Sequence, residues 1–294
     1  MGAQDVMVGR FEAHRSHLRA VAFRMLGSVH DADDAVQEAW LRFRRADTDG
    51  IENLGGWLTT VVARVCLDVL RSRASRPEES LATHPAEPSH VAVADDPSEQ
   101  SELADAVGLA LLAVLDRLSP PERVAFVLHD LFAVPFDEIA PVLGRSVPAA
   151  KKLASRARRR VEGTPVVSRA DLARRRRVVD AFLAAARGGD LQALLAVLAP
   201  DVVRRADRAA LPEGVATEVR GARDVAAETL VLSRGARYGQ VALVDGVPGI
   251  VVAPEGRLRL VVRVVVRDDA IIEIDVVADQ ARLGQVELGV LPAA

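Results

Sequence analysis

The chain has 294 residues, a length that favours two or three domains at about 100–200 residues each. Half of its residues are apolar and 27% are charged, which argues against a disordered chain and allows buried cores. The net charge of −3 neither supports nor excludes nucleic acid as a partner, so the distribution of charge along the chain is the informative property.

Cysteine content and hydropathy exclude further classes of protein. Cys66 is the one cysteine, so a disulfide framework and a thiolate zinc site are excluded, and a reducing cytoplasm is the simplest compartment. Its neighbours in Val61–Leu70 are mostly apolar, which predicts a buried structural thiol. No signal-peptide pattern and no apolar run of about 18 residues occur, so we expect no membrane segment. We also expect no metal and no cofactor.

The chain up to about Ser75 is predicted to be helical. Gly27 suits the end of the first helix, because glycine tolerates the left-handed conformation found there. Ser28 then caps a second helix, with Asp31 three positions further on. A third helix begins near Gly56 and runs over Trp57–Arg73, where apolar residues recur at helical spacing.

Residues 76–105 have a different composition. From Pro77 onwards they contain eight acidic residues, four prolines and no Lys or Arg. This composition predicts an acidic, mostly extended linker that becomes helical after about Pro97.

Residues 106–163 have the pattern of a helix–turn–helix. Ser119–Glu122 forms a capping box with proline at the first helical position. A short helix is predicted over Phe136–Leu143, Gly144 permits the turn, and Ser146 caps a longer helix over Val147–Val161.

The longer helix has two different faces. Lys151–Arg160 contains six Lys or Arg residues and no acid. The apolar positions of the helix, at spacings of three and four, are Ala150, Leu153, Ala154, Ala157 and Val161. Such a helix can enter a DNA major groove, with cations for phosphates and side chains for base edges. The alternative is a solvated basic helix on a helical bundle.

Residues 166–294 are predicted to form an α+β domain. Helices are predicted over Leu172–Arg187, Leu191–Leu198 and Gly221–Arg234. The predicted strands are Tyr238–Val244, Ile250–Ala253, Arg257–Arg267 and Ile271–Ala278, with hairpin turns at Asp245-Gly246 and Asp268-Asp269. Helices followed by a strand meander predict a curved antiparallel sheet.

Carboxylates crowd the start of the second helix, over Asp31–Leu41. They could simply stabilise the positive end of the helix. Acid–base catalysis is not favoured, because only His30 stands beside them. His30–Arg44 resembles the helix with which factors of the sigma-70 family dock on core RNA polymerase. The helix that follows, Gly56–Ser72, resembles the one that reads the −10 promoter element.

Two further motifs, Arg123–Asp130 and Leu153–Arg158, resemble the domain that reads the −35 element. The chain thus resembles an extracytoplasmic-function sigma factor over about Phe11–Val161. The resemblance implies promoter DNA as one partner and core RNA polymerase as the other, through its beta-prime clamp helices and beta flap. It also implies that the acidic linker occupies a basic channel of the polymerase.

The resemblance assigns three groups of side chains. Those for polymerase docking are Asp31, Asp34, Gln37, Glu38 and Leu41. Those for the −10 element are Asn53, Trp57, Thr60, Arg64 and Arg71. Those for the −35 element are Ser146, Ala149, Lys151, Lys152, Ser155, Arg156 and Arg159. Two roles are considered for Trp57: contact with the −10 DNA, and packing in the core, which is usual for a tryptophan at a helix start.

The C-terminal part resembles a SnoaL-like domain, a cone-shaped α+β fold, through Arg187–Leu191 and Leu198–Val202. One sigma subfamily carries this domain as a built-in regulator. The chain departs from that subfamily at three motifs. It has Pro85–Pro88 where the subfamily has W-L-P-E-P, Asp207–Ala210 where the subfamily has D-G-G-G-R/K, and Asp279–Leu283 where the subfamily has N-P-D-K-L. These departures leave the mode of regulation open.

Two other functions compete with this interpretation. An isomerase or cyclase site in the C-terminal domain would need an acid–base pair, and no spacing singles one out among Asp201, Asp207, Tyr238 and Asp275. A ligand-responsive helix–turn–helix repressor would give the acidic helix no role. We therefore predict a non-enzymatic sigma factor with two all-α domains, the second a helix–turn–helix, followed by an α+β SnoaL-like cone. The predicted bounds are 1–75, 76–105, 106–163 and 166–294.

Overall fold

The computed structural model describes residues 3–46, 51–75 and 108–291. The described residues form two compact units: one contains residues 3–46, 51–75 and 115–159, and the other contains residues 108–114 and 160–291. The predicted acidic linker, 76–105, lies outside the described residues. The division between the units falls inside two helices, near residues 114 and 159.

In the described ranges, seven helices precede the C-terminal domain. They are α1 (Ala3–Leu26), α2 (Val29–Phe43), α3 (Leu54–Ser75), α4 (Leu109–Asp116), α5 (Pro120–Phe126), α6 (Phe136–Leu143) and α7 (Val147–Glu162). A π-helical turn over Val127–Leu131 extends α5. The helices predicted before residue 76 and over 120–161 are confirmed, with ends that differ by a few positions, whereas the predicted onset of helix after about Pro97 lies outside the described residues.

Local capping sets the helix ends of the first unit. Gly27 ends α1 with a φ of 77°, and the Ser28 hydroxyl accepts a hydrogen bond from the Asp31 amide at 3.3 Å, as predicted. The third helix starts two positions before the predicted Gly56. The reason is that Asn53 Oδ1 accepts from the Gly56 amide at 2.9 Å and the Asn53 carbonyl accepts from Trp57.

An aromatic core joins α1, α2 and α3. The rings of Phe11 and Trp40 lie 5.0 Å apart, and those of Phe43 and Trp57 lie 6.1 Å apart. Cys66 on α3 is fully buried, and burial raises the pKa of its thiol. The prediction of a structural thiol is therefore confirmed.

Helix α3 also packs against α5 and α6 of the same unit. Arg123 of α5 is buried and donates to the Met25 carbonyl at 3.0 Å and to Asp116 at 2.9 Å. The Phe132 ring, after α5, lies 5.1 Å from the Arg24 guanidinium and 5.3 Å from the His17 ring. These contacts hold the helix–turn–helix against α1 and α3 within the first unit.

The helix–turn–helix forms as the sequence predicts. The capping box at Ser119 and Glu122 begins α5, and Gly144 turns the chain with a φ of 63°. The small residues Ala150, Ala154 and Ala157 on one side of α7 are buried. Small side chains let the two helices approach closely, which fixes the exposed side of α7.

The second unit is built on one seven-stranded sheet. Its strands are β1 (Leu198–Ala206), β2 (Glu218–Arg220), β3 (Gly239–Val244), β4 (Val247–Val252), β5 (Leu260–Arg267), β6 (Ala270–Val277) and β7 (Leu288–Gly289). Its own helices are α8 (Arg169–Gly188), α9 (Leu191–Val197), α10 (Ala222–Leu232) and α11 (Gln280–Gln285). The α+β class is confirmed.

The strand order is β2-β1-β6-β5-β4-β3-β7. The meander from β3 to β6 is antiparallel, as predicted, and the positive φ angles of Asp245, Gly246, Asp268 and Asp269 fit tight hairpin turns. However, β1 pairs with β6 in parallel, so the sheet is mixed. We did not predict β1, β2, β7 or α11.

Alternate residues of the strands enter two different apolar clusters. Ile250, Val264 and Ile274 pack with α8, α9 and α10 in the first cluster. Val251 and Val261 belong to the second cluster, which contains Leu283 of α11 and also Ala110 and Ala113 of α4. Because successive side chains of a strand point to opposite faces, the two clusters cover the two faces of the sheet.

Candidate nucleic-acid and protein interfaces

Helix α2 presents an acidic face. Its buried side, against α1 and α3, consists of Val29, Ala32, Ala35, Val36, Ala39 and Phe43. Asp34 and Gln37 are exposed on the other side, and Glu38 and Leu41 are partly exposed. The Asp34 side chain is 66% exposed and lies 3.9 Å from His30, whereas Glu38 pairs with Arg42 at 2.9 Å. These side chains are available to a basic partner.

Asp31 is placed differently from the other predicted docking residues. Its carboxylate pairs with Arg73 of α3 at 2.6 Å, and its side chain is only 26% exposed. Asp31 therefore also links the start of α2 to the end of α3. Sequence reasoning missed Arg73, because nothing local signals a partner so distant in the chain.

Four of the five side chains predicted for the −10 element form one stripe along α3, and the fifth, Asn53, precedes the helix. Most of the helix surface is buried, including Leu58, Val61 and Leu67. Arg64 and Arg71 are exposed, and Trp57 and Thr60 are partly exposed. The stripe positions 57, 60, 64, 68 and 71 are three or four apart, so they lie on one side of the helix. Asp68 is the acidic member of the stripe.

Three of these side chains also have structural roles. Asn53 caps α3, so its Oδ1 is engaged by the Gly56 amide. The Thr60 hydroxyl donates to the Trp57 carbonyl at 2.7 Å. Trp57 combines a contact with Phe43 and a partly exposed ring, so the structure leaves room for both roles considered from sequence.

Helix α7 presents a basic face. Ser146, Lys151, Lys152, Ser155, Arg156 and Arg159 are exposed, and Ala149 is partly buried. Within the described ranges, no ion pair engages Lys152, Arg156 or Arg159. Arg158, by contrast, pairs with Asp130, so it is committed to the fold of the domain. The unpaired cations are free to contact phosphates.

Of the four acid–base candidates of the C-terminal domain, two share one arginine partner. Asp207 and Asp275 both bind Arg282, the latter at 2.8 Å. Burial would raise the pKa of Asp207, but the backbone amides of Asp279 and Ala278 and the Arg282 guanidinium outweigh it and lower this pKa. Asp201 and Tyr238 lie on other elements, at β1 and before β3.

The remaining signals for other site types are weak. In the described part of the chain, no three His, Cys, Asp or Glu side chains are grouped so as to hold a metal ion. None of the described helices combines the length and the hydrophobicity that crossing a bilayer requires. The clefts beside α10 are shallow, one of about 390 Å³ at Pro200 and Asp224 and one of about 370 Å³ at Val219 and Glu228.

An acidic helix face, a polar stripe on the neighbouring helix and a basic helix–turn–helix are the features expected of a DNA-binding transcription factor with a protein partner. Comparison with known families is more specific. Residues 10–76 match Sigma-70 region 2, and residues 108–161 match Sigma-70 region 4.

Individual relatives extend the match beyond these two regions. The ECF RNA polymerase sigma factor SigJ of Mycobacterium tuberculosis is 44% identical over 248 residues, covering 81% of this chain and 78% of the relative. A probable ECF RNA polymerase sigma factor of the same species, SigI, is 40% identical over 210 residues, covering 70% and 72%. The chain belongs to the extracytoplasmic-function sigma factors of RNA polymerase.

Among solved structures, the crystal structure of the M. tuberculosis extracytoplasmic function sigma factor SigJ is similar to this chain. The identity is 34%, the TM-score is 0.45, and the match covers 94% of this chain and 98% of that one.

Proposed function

We propose that three helices of this sigma factor make three different contacts during promoter-directed initiation. The exposed face of α2 docks on the beta-prime clamp helices of core RNA polymerase, the stripe on α3 meets the opened −10 strand, and α7 reads the −35 duplex. The proposal includes the cytoplasm as the place of action, because the polymerase is there. The observation that carries it is the division of α7 into a buried alanine side and an exposed basic side, on which Lys152, Arg156 and Arg159 make no ion pair within the described ranges.

The geometry of α7 supports the −35 assignment. Residues at the N-terminal end of a recognition helix contact base edges, and cations further along contact phosphates. Ser146 and Ala149 lie at that end, and Lys152, Arg156 and Arg159 follow on the exposed side. Neutralising DNA phosphates releases counterions, so these cations supply a salt-dependent part of the affinity.

The charge of α2 supports the polymerase assignment. Asp34 and Glu38 are a helical turn apart and both reach solvent. An exposed acidic face steers association with a basic surface and suppresses wrong partners. Leu41, at the edge of this face, adds apolar contact area that leaves water when the partner binds.

A binding titration tests the docking surface. The double variant Asp34→Lys and Glu38→Lys should weaken binding of the labelled full chain to core RNA polymerase by about tenfold or more, because two attractions become repulsions. Asp33→Lys is the matched control: Asp33 is an exposed acid of the same helix, but it faces α1 and pairs with Arg19. Equal affinity of the double variant and the wild type would exclude α2 as the docking surface.

For the C-terminal domain we propose a role in binding and regulation rather than catalysis. Two of the candidate acids are fixed by one arginine, and the lowered pKa of Asp207 makes it a poor proton donor. The core between the sheet and α8 to α10 is filled with apolar side chains, and beside it Arg204, itself buried, pairs with Glu228. Turnover of a substrate by the purified wild-type chain would refute this proposal.

A further inference from the structure

An acidic side chain lies between the two cations of the α3 stripe. Asp68 follows Arg64 by four positions and precedes Arg71 by three, and all three side chains are exposed. Residues three or four positions apart lie on the same side of a helix, so the Asp68 carboxylate lies between the two arginines along the stripe. The other members, Trp57 and Thr60, carry no charge. A surface that is proposed to meet DNA therefore includes one negative charge.

The fold gives Asp68 no structural role. In the described part of the chain, its carboxylate takes part in no ion pair and no side-chain hydrogen bond. Elsewhere an acid three positions before an arginine does pair with it, as Glu12 pairs with Arg15 at 2.7 Å. Asp171 pairs with Arg174 in the same way at 2.8 Å. Asp68 also lies in the C-terminal half of α3, where the helix dipole does not stabilise a carboxylate. The stability of α3 therefore does not account for an acid at this position.

The chemistry of a carboxylate limits what Asp68 can contribute at a DNA strand. The group repels phosphates, whose charge has the same sign, so it weakens binding to every sequence. An ionised carboxylate only accepts hydrogen bonds, and the bases that offer an amino group as a donor are cytosine, adenine and guanine. Thymine has no amino group, and its O4 is an acceptor that a carboxylate repels. In an opened strand the edges of the bases are accessible to such a contact.

We infer that Asp68 determines base specificity within the −10 element. Its carboxylate accepts a hydrogen bond from the amino group of one base in the opened strand, and it disfavours thymine at that position. Arg64 and Arg71 contact the phosphates on either side, which offsets the general repulsion. An acid that weakens binding to every sequence, and to the wrong base most, raises specificity rather than affinity. This inference rests on the proposed contact of the α3 stripe with the opened −10 strand.

A barcoded promoter library tests the inference. The full chain and core RNA polymerase transcribe templates that carry every base at each −10 position, and a barcode in the transcript identifies its template. The wild type should disfavour thymine at one position by about tenfold, the discrimination that one good base contact gives. Asp68→Ala should remove most of this discrimination and leave the preferences at the other −10 positions unchanged.

A second variant separates the charge of the side chain from its shape. The amide in Asp68→Asn has nearly the same size, but it carries no charge and can donate as well as accept. This variant should therefore tolerate thymine at the selected position and transcribe the other templates at least as well as the wild type, because a repulsion of phosphates is lost. Asp33→Ala is the matched control. It removes an exposed acid that pairs with Arg19 on α1, and the base preferences should stay as in the wild type.

Two results would overturn the inference. One is a set of base preferences in Asp68→Ala that matches the wild type at every −10 position. The other is a loss of transcription from all templates alike in Asp68→Ala and Asp68→Asn, which would indicate a structural role. A failure of the proposed function has a different signature. Arg64→Ala combined with Arg71→Ala would then transcribe as well as the wild type, because the α3 stripe would not contact the strand.

Discussion

Replacing Arg123 by methionine should destabilise the first unit by about 2 kcal/mol, within the range of about 1.5–3 kcal/mol that a hydrogen bond from a charged group contributes. The Arg123 side chain is 7% exposed and donates to the Met25 carbonyl and to Asp116. The Met25 carbonyl would lose its buried donor. Methionine keeps the packing of the aliphatic stem.

Two features keep the expected loss of unfolding free energy near the lower end of the range of about 1.5–3 kcal/mol. Asp116 is 44% exposed, so water can solvate its carboxylate once the arginine is gone. Among the described residues, the buried Nε of Arg123 has no hydrogen-bond partner, and methionine removes that unsatisfied donor. Burial also lowers the pKa of the Arg123 guanidinium, which reflects the cost of placing this charge in the interior.

Urea unfolding followed by tryptophan fluorescence measures the effect. Both tryptophans of the chain, Trp40 and Trp57, lie in the first unit and report on its unfolding. Arg145→Met is the control, because Arg145 is exposed and such surface changes are usually within about 0.5 kcal/mol. If Arg123→Met lowers the free energy of unfolding by less than the about 0.5 kcal/mol typical of surface substitutions, the reasoning that this arginine ties α5 to α1 is refuted.

Three further predictions concern single side chains. Lys152→Ala should weaken binding to all promoter sequences alike and reduce the salt slope of log K by about one unit, measured by anisotropy at several salt concentrations; a change confined to one sequence would contradict a phosphate contact. Asp207→Asn should destabilise the C-terminal domain at pH 7. Because the folded-state pKa of Asp207 is lowered, its contribution is present above the ordinary pKa of about 3.9 and is lost as pH falls through the lowered value, so urea titrations should show the variant and the wild type converging in acid. Cys66 should react with a thiol reagent only after unfolding, since its thiol is buried and its pKa is raised; rapid labelling of the native chain would disprove its burial.

The features that sequence predicted are those with local causes. Ser28 and Gly144 set helix ends through contacts within a few positions, and Asp245-Gly246 turns a hairpin because both residues take positive φ angles. The exposed basic face of α7 follows from the spacing of its alanines alone.

The features that sequence did not predict depend on distant partners. The parallel pairing of β1 with β6 joins residues that are far apart in the chain, such as Arg204 and Ile274. The Asp31–Arg73 pair and the contact of Gln240 with Ala110 are likewise non-local. No periodicity or turn signal in a single sequence encodes such contacts, so the packing of the start of α4 against the C-terminal sheet was not predicted.

Reconstituted transcription is the direct test of promoter-directed initiation by this chain. The purified full chain and bacterial core RNA polymerase are combined with fragmented genomic DNA, and RNA 5′ ends are mapped. We expect discrete start sites that require the chain, disappear with Asp34→Lys plus Glu38→Lys and persist with Asp33→Lys. No chain-dependent start sites, together with no binding of the chain to core polymerase, would contradict this expectation.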